Sequence, residues 1–190
     1  FMVAAYSDPK QNNEAAVQKL ITENHIGGVI FFKGTPIRQA HMTNKFQSLS
    51  KIPLSIAIDG EWGLGMRLDS TISFPRQLQL GAIDAKNEHL IEEMGKEIGR
   101  QCNRMGIHIN FAPVVDLNNN PQNPVINTRS FGEIKENVTN KALLYMQGMQ
   151  SQNILTSAKH FPGHGNTGTD SHYSLPIVNS NKESLEEYEL

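Results

Sequence analysis

The stretch running Lys159-His160-Phe161-Pro162-Gly163-His164-Gly165 to Asp170-Ser171-His172 holds three of the seven histidines and the densest set of reactive side chains in the sequence. A carboxylate two residues from an imidazole, as in Asp170 and His172, can orient the ring and raise its proton affinity, giving a general acid/base near neutral pH. The same two residues could equally be a turn-capping aspartate and a surface histidine. His160, His164 and His172 raise a metal-dependent hydrolase as an alternative, since imidazole is a common zinc ligand. A His pair four apart is a ligand pair when it lies on one helical face, and Pro162-Gly163 prevents that here. Lys159 and His160, with Arg67 and Arg129 as further donors and Asp59 as acceptor, form the polar set that a polyhydroxylated ligand requires, because each hydroxyl taken from water needs a partner. Asp116 could belong to that set or fix its loop through backbone bonds. Trp62, the single tryptophan, could stack on a sugar face or anchor its loop.

Alternating elements must hold these groups. Apolar runs at Phe1–Tyr6, Gly27–Phe32, Pro53–Asp59, His108–Asp116 and Ile154–Ala158 read as strands. Helical periodicity occupies Glu14–Glu23 (Val17, Leu20, Ile21), Pro36–Leu49, Asp84–Met105 (Leu90, Ile91, Met94, Ile98, Cys102, Met105 on one face) and Glu136–Gln150 (Val138, Leu143, Leu144, Met149). Continuous apolar strands alternating with helices predict a parallel sheet covered by helices. Asp59, Asp116 and Lys159-His160 end three different strands, each before a long loop. Several strand ends converging on one site is the habit of a (β/α)8 barrel, whereas an open nucleotide-binding sheet prefers a glycine fingerprint after its first strand, and Ser7-Asp8-Pro9-Lys10 offers none. The expected fold is therefore α/β, a TIM-barrel-like domain over residues 1–190 with about five of its eight βα units.

Composition fits an ordinary globular chain, with 38% hydrophobic and 19% charged residues among 190. A formal charge of -2 and the lack of a basic patch argue against a nucleic-acid partner. No apolar run reaches the length of a membrane span. One cysteine, Cys102, excludes an internal disulfide framework. The chain opens directly on a strand and closes on Ser184–Leu190, which reads as a helix stopped midway. The expectation is part of a longer protein, with any targeting segment out of view.

The blocks in order sharpen this reading. Lys159-His160-Phe161-Pro162-Gly163-His164-Gly165, then Asp170-Ser171-His172 and Leu175-Pro176, resemble the signature of the bacterial β-N-acetylhexosaminidases of glycoside hydrolase family 3. Ile58-Asp59-Gly60-Glu61 with Arg67, Phe74-Pro75, Leu80-Gly81-Ala82, Asn110–Asp116, Asn120-Pro121, Asn123–Ile126 and Arg129–Gly132 resemble the family's other blocks. The resemblance covers nearly the whole chain. It implies a retaining exo-β-N-acetylglucosaminidase acting on peptidoglycan fragments in the bacterial cytoplasm or periplasm, with a small carbohydrate substrate and neither metal nor cofactor. By position it implies catalytic His172 paired with Asp170, and sugar binding by Asp59, Arg67, Arg129, Lys159 and His160. His164 would support the loop. Two departures stand out. After Asp-x-Glu the family carries Gly-Gly-Arg, whereas this chain has Trp62-Gly63-Leu64-Gly65-Met66, a form similar to that of large proteins with a further domain. The family's nucleophilic aspartate lies on a later strand, and no carboxylate here matches it. A non-catalytic sugar-binding barrel is the remaining alternative.

Overall fold

The computed structural model describes residues 1–168, 175, 177–178 and 180–189. Strands β1 (Met2–Ala5), β2 (Gly28–Phe31), β3 (Ser55–Ile58), β4 (Ile109–Asn110) and β5 (Leu155–Thr156) form one sheet. Neighbours are parallel throughout and lie in the order β1-β2-β3-β4-β5. A doubly wound sheet reverses its strand order at a switch point, while a barrel adds each strand beside its predecessor. Sequential order without reversal is barrel winding, and the fold is the incomplete (β/α)8-like arrangement expected from the strand endings. Val29, Phe31, Ile56, Ala57 and Ile58 are fully buried, as strands covered on both faces must be.

Helix α1 (Glu14–Asn24) buries Val17 and Ile21, while Leu20, expected on the same face, turns outward. Helix α2 (Pro36–Leu49) starts where Thr35 accepts a hydrogen bond from the Arg38 amide at 3.4 Å and Pro36 occupies the first turn. Its Phe46 stacks on Phe31 of β2 at 6.3 Å between ring centroids. After β3 come a 3-10 turn (Leu64–Met66), the short helix α3 (Gln77–Gly81) and helix α4 (His89–Arg104).

The continuous helix expected over 84–105 is thus divided. Ala85–Asn87 forms a 3-10 turn, closed by the Asn87 amide and side chain on Asp84, before α4 begins. Ile91, Met94, Ile98 and Cys102 face the core as expected, but Leu90 is exposed. Helix α5 (Lys135–Gln150) packs against α4 with their backbones in contact. A Cβ on Gly148 would lie 2.2 Å from the Glu92 carbonyl, and one on Gly95 2.5 Å from that of Tyr145, so only glycine permits this approach. The close packing drives Tyr145 into the core, fully buried. Leu143 does not join it; it is half exposed and borders a cavity of about 330 Å3 with Val115, Leu117 and Ala158.

Strands β4 and β5 are shorter than the apolar runs that contain them. Pro113 has no amide to give to a ladder, and after Asn110 the pairing becomes irregular. It resumes where Val114 bridges Lys159: the Lys159 amide donates to the Pro113 carbonyl at 3.1 Å and the Val115 amide to the Lys159 carbonyl at 2.7 Å. That short contact carries Lys159 out of the sheet beside Asp116. Helix α6 (Lys182–Tyr188) follows β5, and no helix among the described residues is long and apolar enough to cross a membrane.

Candidate active site

The sheet register aligns Ala5, Phe31, Ile58, Asn110 and Thr156 in one row at the C-terminal ends of the strands. One residue further, Tyr6 stacks on Phe32 at 6.0 Å and the Arg67 guanidinium sits 5.0 Å over the Phe32 ring. Arg67 Nε donates to the Asp59 carbonyl at 2.8 Å, and its Nη2 pairs with the Asp59 carboxylate. Asp59 is therefore held from the side of β2.

Lys159 arrives from the opposite side. Its Nζ lies 2.6 Å from Asp59 Oδ1 and 2.8 Å from Glu61 Oε1. Glu61 in turn accepts a forked pair from Arg129, Nη2 to Oε1 at 2.7 Å and Nε to Oε2 at 2.9 Å. Arg129 Nη2 also faces His160 Nε2 at 3.4 Å, while His160 Nδ1 meets Asp116 Oδ2 at 2.6 Å. This network assigns the ring proton to Nδ1, leaving Nε2 as acceptor. The chain Arg67, Asp59, Lys159, Glu61, Arg129, His160, Asp116 joins three loops across the mouth of the sheet. All five sugar-binding candidates drawn from the sequence are brought together in it.

Burial sorts the members. Side chains of Asp59, Arg67, Arg129 and Lys159 are 15–20% exposed and that of His160 is 34% exposed, whereas Glu61 and Asp116 are at 0%. The first five face outward with some hydrogen-bonding capacity left; the last two stand behind them. The outward set has one carboxylate, Asp59, and with Glu61 and Asp116 behind it three carboxylates balance three permanent cations. Burial alone would raise the Glu61 pKa, but hydrogen bonds and charge from Arg129 and Lys159 outweigh it and hold the carboxyl below its ordinary value. For Arg129, burial works to lower the pKa, and Glu61 overcomes it and raises it further. Both groups are charged at neutral pH.

The backbone of Gly60-Glu61 is fixed by three buried side chains from three elements. Asn110 of β4 accepts from the Gly60 amide at 2.8 Å and donates to its carbonyl at 3.1 Å. Tyr145 of α5 lies 3.3 Å from the Gly60 carbonyl and 3.2 Å from that of Glu61, and Gln77 of α3 donates to the Glu61 carbonyl at 3.1 Å. Burial pushes the Tyr145 phenol well above its usual pKa, so it stays a donor. Sequence reasoning named neither Tyr145 nor Gln77 in this role. Glu61 had a signal in the Asp-x-Glu spacing at a strand end, but only the fold shows that it joins Arg129 to Lys159.

Asp116 does fix its loop. Besides His160 Nδ1 it takes the His160 amide at 3.2 Å and the His164 amide at 2.7 Å. Asn123 fastens the same loop from outside, donating to the carbonyls of His164 at 2.7 Å and Gly165 at 3.0 Å while accepting from the amides of Val125 and Ile126, both at 2.8 Å. A Cβ on Gly165 would fall 1.8 Å from the Leu117 carbonyl, which is why that position has no side chain. His164 is buried with Nδ1 against Thr167 Oγ1. A metal ion at His160 Nε2 would meet the Arg129 guanidinium, and among the described residues no group of three His, Cys, Asp or Glu side chains is arranged to hold one. Asp170 and His172 lie outside the described residues.

Trp62 pairs with a cation outside the charged chain. The Arg76 guanidinium covers its ring at 4.6 Å and reaches Thr128 Oγ1 at 2.9 Å.

Comparison with known proteins places the chain among glycoside hydrolases. "Beta-hexosaminidase A" of Pseudoalteromonas piscicida is 37% identical over 185 residues, covering 92% of this chain and 31% of its own length. The structure of a glycoside hydrolase family 3 beta-N-acetylglucosaminidase from a Paenibacillus species superposes with a TM-score of 0.84 at 37% identity, covering 98% of this chain and 36% of that one. NagZ from Neisseria gonorrhoeae in complex with N-trifluoroacetyl-D-glucosamine gives a TM-score of 0.84 at 27% identity over 99% of this chain and 57% of that one. The chain thus spans about a third of the first curated relative's length. The model of the Glycosyl hydrolase family 3 N terminal domain matches residues 2–190, and the chain belongs to that family.

Proposed function

We propose that this chain is the sugar-holding and acid/base portion of a retaining exo-β-N-acetylglucosaminidase acting on peptidoglycan fragments. The observation that carries the proposal is the outward-facing set Asp59, Arg67, Arg129, Lys159 and His160, locked in one alternating network with Glu61 and Asp116 sealed behind it. A terminal sugar offers hydroxyls that both donate and accept. Asp59 accepts from them, Lys159 and the two guanidinium groups donate, and the network holds these groups in place before the ligand arrives, so little ordering is lost on binding. The relatives whose names record activity on N-acetylglucosaminides or hexosaminides support the substrate class.

In this reading His172, oriented by Asp170, protonates the glycosidic oxygen as an imidazolium while a carboxylate from a later strand attacks the anomeric carbon. Neutral His172 then takes a proton from the water that releases the sugar, which therefore keeps its anomeric configuration. Glu61 and Asp116 are sealed behind the network and committed to cations, imidazole or amides, so neither is free to attack, and Asp59 is taken up by the sugar hydroxyls.

The test is turnover of a chromogenic β-N-acetylglucosaminide by the full-length protein, with a chelator present and the first-formed anomer read by NMR. Chelator-resistant release of the β-anomer is expected. Binding of N-acetylglucosamine without turnover would favour the sugar-binding alternative, and loss of activity on chelation would favour the metal-dependent one.

A further inference from the structure

The mechanism above gives no task to Lys141, a lysine in the middle of α5 whose side chain is only 2% exposed. A buried ammonium needs partners for its donors. Lys141 Nζ donates to the carbonyls of Gly81 at 2.6 Å and Ile83 at 2.7 Å, with Glu88 Oε1 3.8 Å away. Those carbonyls belong to the last residue of α3 and the turn beyond it, where a lysine can satisfy oxygens that a helix leaves unpaired.

Lys141 stands in a row on one face of α5, with Asn137, Tyr145 and Met149 spaced four residues apart. Asn137 donates to the carbonyls of Gly81 at 3.2 Å and Phe131 at 3.3 Å. Tyr145 meets the Gly60 and Glu61 carbonyls, and Met149 Sδ lies 3.4 Å from Asn110 Nδ2, which donates to the Gly60 carbonyl. The first two members of the row grip the far end of α3, and the last two grip the start of the segment that follows β3.

Between these grips lies α3, five residues long and too short to hold its own place. Gln77 opens it and donates to the Glu61 carbonyl, while Gln77 Oε1 has no partner among the described residues. The aim of Gln77 at Glu61 therefore depends on where α3 sits. The same end of α3 presses on the other half of the network: a Cβ on Gly81 would fall 1.9 Å from the carbonyl of Phe131, two residues after Arg129. One clamp thus bears on both members of the Glu61–Arg129 pair.

We propose that Lys141 is a positioning residue for the sugar-binding network: with Asn137 it clamps the end of α3, so that Gln77 and the Phe131 loop hold the Glu61–Arg129 pair in place. The kinetic part of the test rests on the reading of the chain as part of an N-acetylglucosaminidase; the exchange part does not.

The test uses the full-length protein well below its unfolding temperature. Lys141→Met should lower kcat/KM on an aryl N-acetylglucosaminide by about 10-fold or more, the scale of a small misplacement far from the chemistry, and Lys141→Arg, which keeps donors at this place, should lower it less. If Lys141 acts through Gln77, adding Lys141→Met to Gln77→Leu should cost less than about 2-fold further. Amide exchange should accelerate not only at 81–84 but also at Gly63, Met66 and Arg67, whose amides close the turns after Glu61 and which Lys141 does not touch. Asn137→Ala, which loosens the same clamp more mildly, should show the same pattern at smaller size and serves where Lys141→Met does not fold. In an active protein, an unchanged kcat/KM, losses that multiply in the double variant, or faster exchange confined to 81–84 overturns the positioning role. Accelerated exchange at 63–67 in a protein that cleaves no N-acetylglucosaminide upholds the clamp and overturns the glycosidase reading instead.

Discussion

Replacing Glu61 by glutamine keeps its shape and removes the charge that joins Arg129 to Lys159. The side chain is at 0% exposure and takes three charge-assisted hydrogen bonds of 2.7–2.9 Å. Breaking a buried pair by removing one partner costs roughly 3–5 kcal/mol. Lys159 keeps Asp59 at 2.6 Å, and both cations are 15–19% exposed, so water relieves part of the loss and the lower end, about 3 kcal/mol, is expected. With a urea m-value of about 2 kcal/mol per molar, the midpoint should fall by about 1.5 M at pH 7, followed by circular dichroism. The pH dependence has a definite sign. The folded pKa of Glu61 is depressed, so its stabilisation is present above the unfolded value near 4.5 and is lost as pH falls through the lower folded value. The gap between wild type and Glu61→Gln should therefore narrow in acid. Adding Arg129→Met to Glu61→Gln should cost less than the sum of the two single changes, because it removes the stranded cation. A midpoint shift below about 0.3 M, or a gap that stays constant to pH 3, would refute the assignment of Glu61 as the charged centre of the network.

Tyr145→Phe removes the hydroxyl that steadies the Gly60 and Glu61 carbonyls; a loss of about 1–2 kcal/mol is expected, with kcat on an aryl N-acetylglucosaminide reduced more than KM is raised. Asn123→Ala frees the carbonyls of His164 and Gly165 and two amides, so amide exchange across 159–168 should accelerate while exchange in β1 to β3 does not; equal protection in both forms would contradict the fastening role. Cys102 is buried and its thiol is pushed up to about 12, so a thiol reagent at pH 8 should leave it unmodified until the protein unfolds.

The fold was legible because each strand is a short apolar run, and the polar residues that end β3, β4 and β5 point to one mouth. What stayed hidden depends on long-range geometry. The sequence left Asp116 open between ligand binding and fixing its loop, and Glu61 looks like an ordinary loop carboxylate until the three loops converge. Lys141 sits among the buried positions of α5, donating to the Gly81 and Ile83 carbonyls at 2.6 and 2.7 Å; a periodicity that assigns the core to apolar residues places Leu143 there instead. The break of β4 at Pro113 was written in the sequence, but the bridge from Val114 to Lys159 was not, since it needs β5 alongside.

The central claim is that His172 moves the proton in a glycoside hydrolysis whose sugar is held by the Asp59 to His160 network. The direct measurement is kcat/KM of the full-length His172→Ala protein on a natural disaccharide and on an aryl N-acetylglucosaminide with a good leaving group, which needs little protonation. The account predicts a loss on the disaccharide at least about 100-fold greater than on the aryl glycoside, within the usual worth of general acid catalysis. Equal losses on both substrates would contradict it.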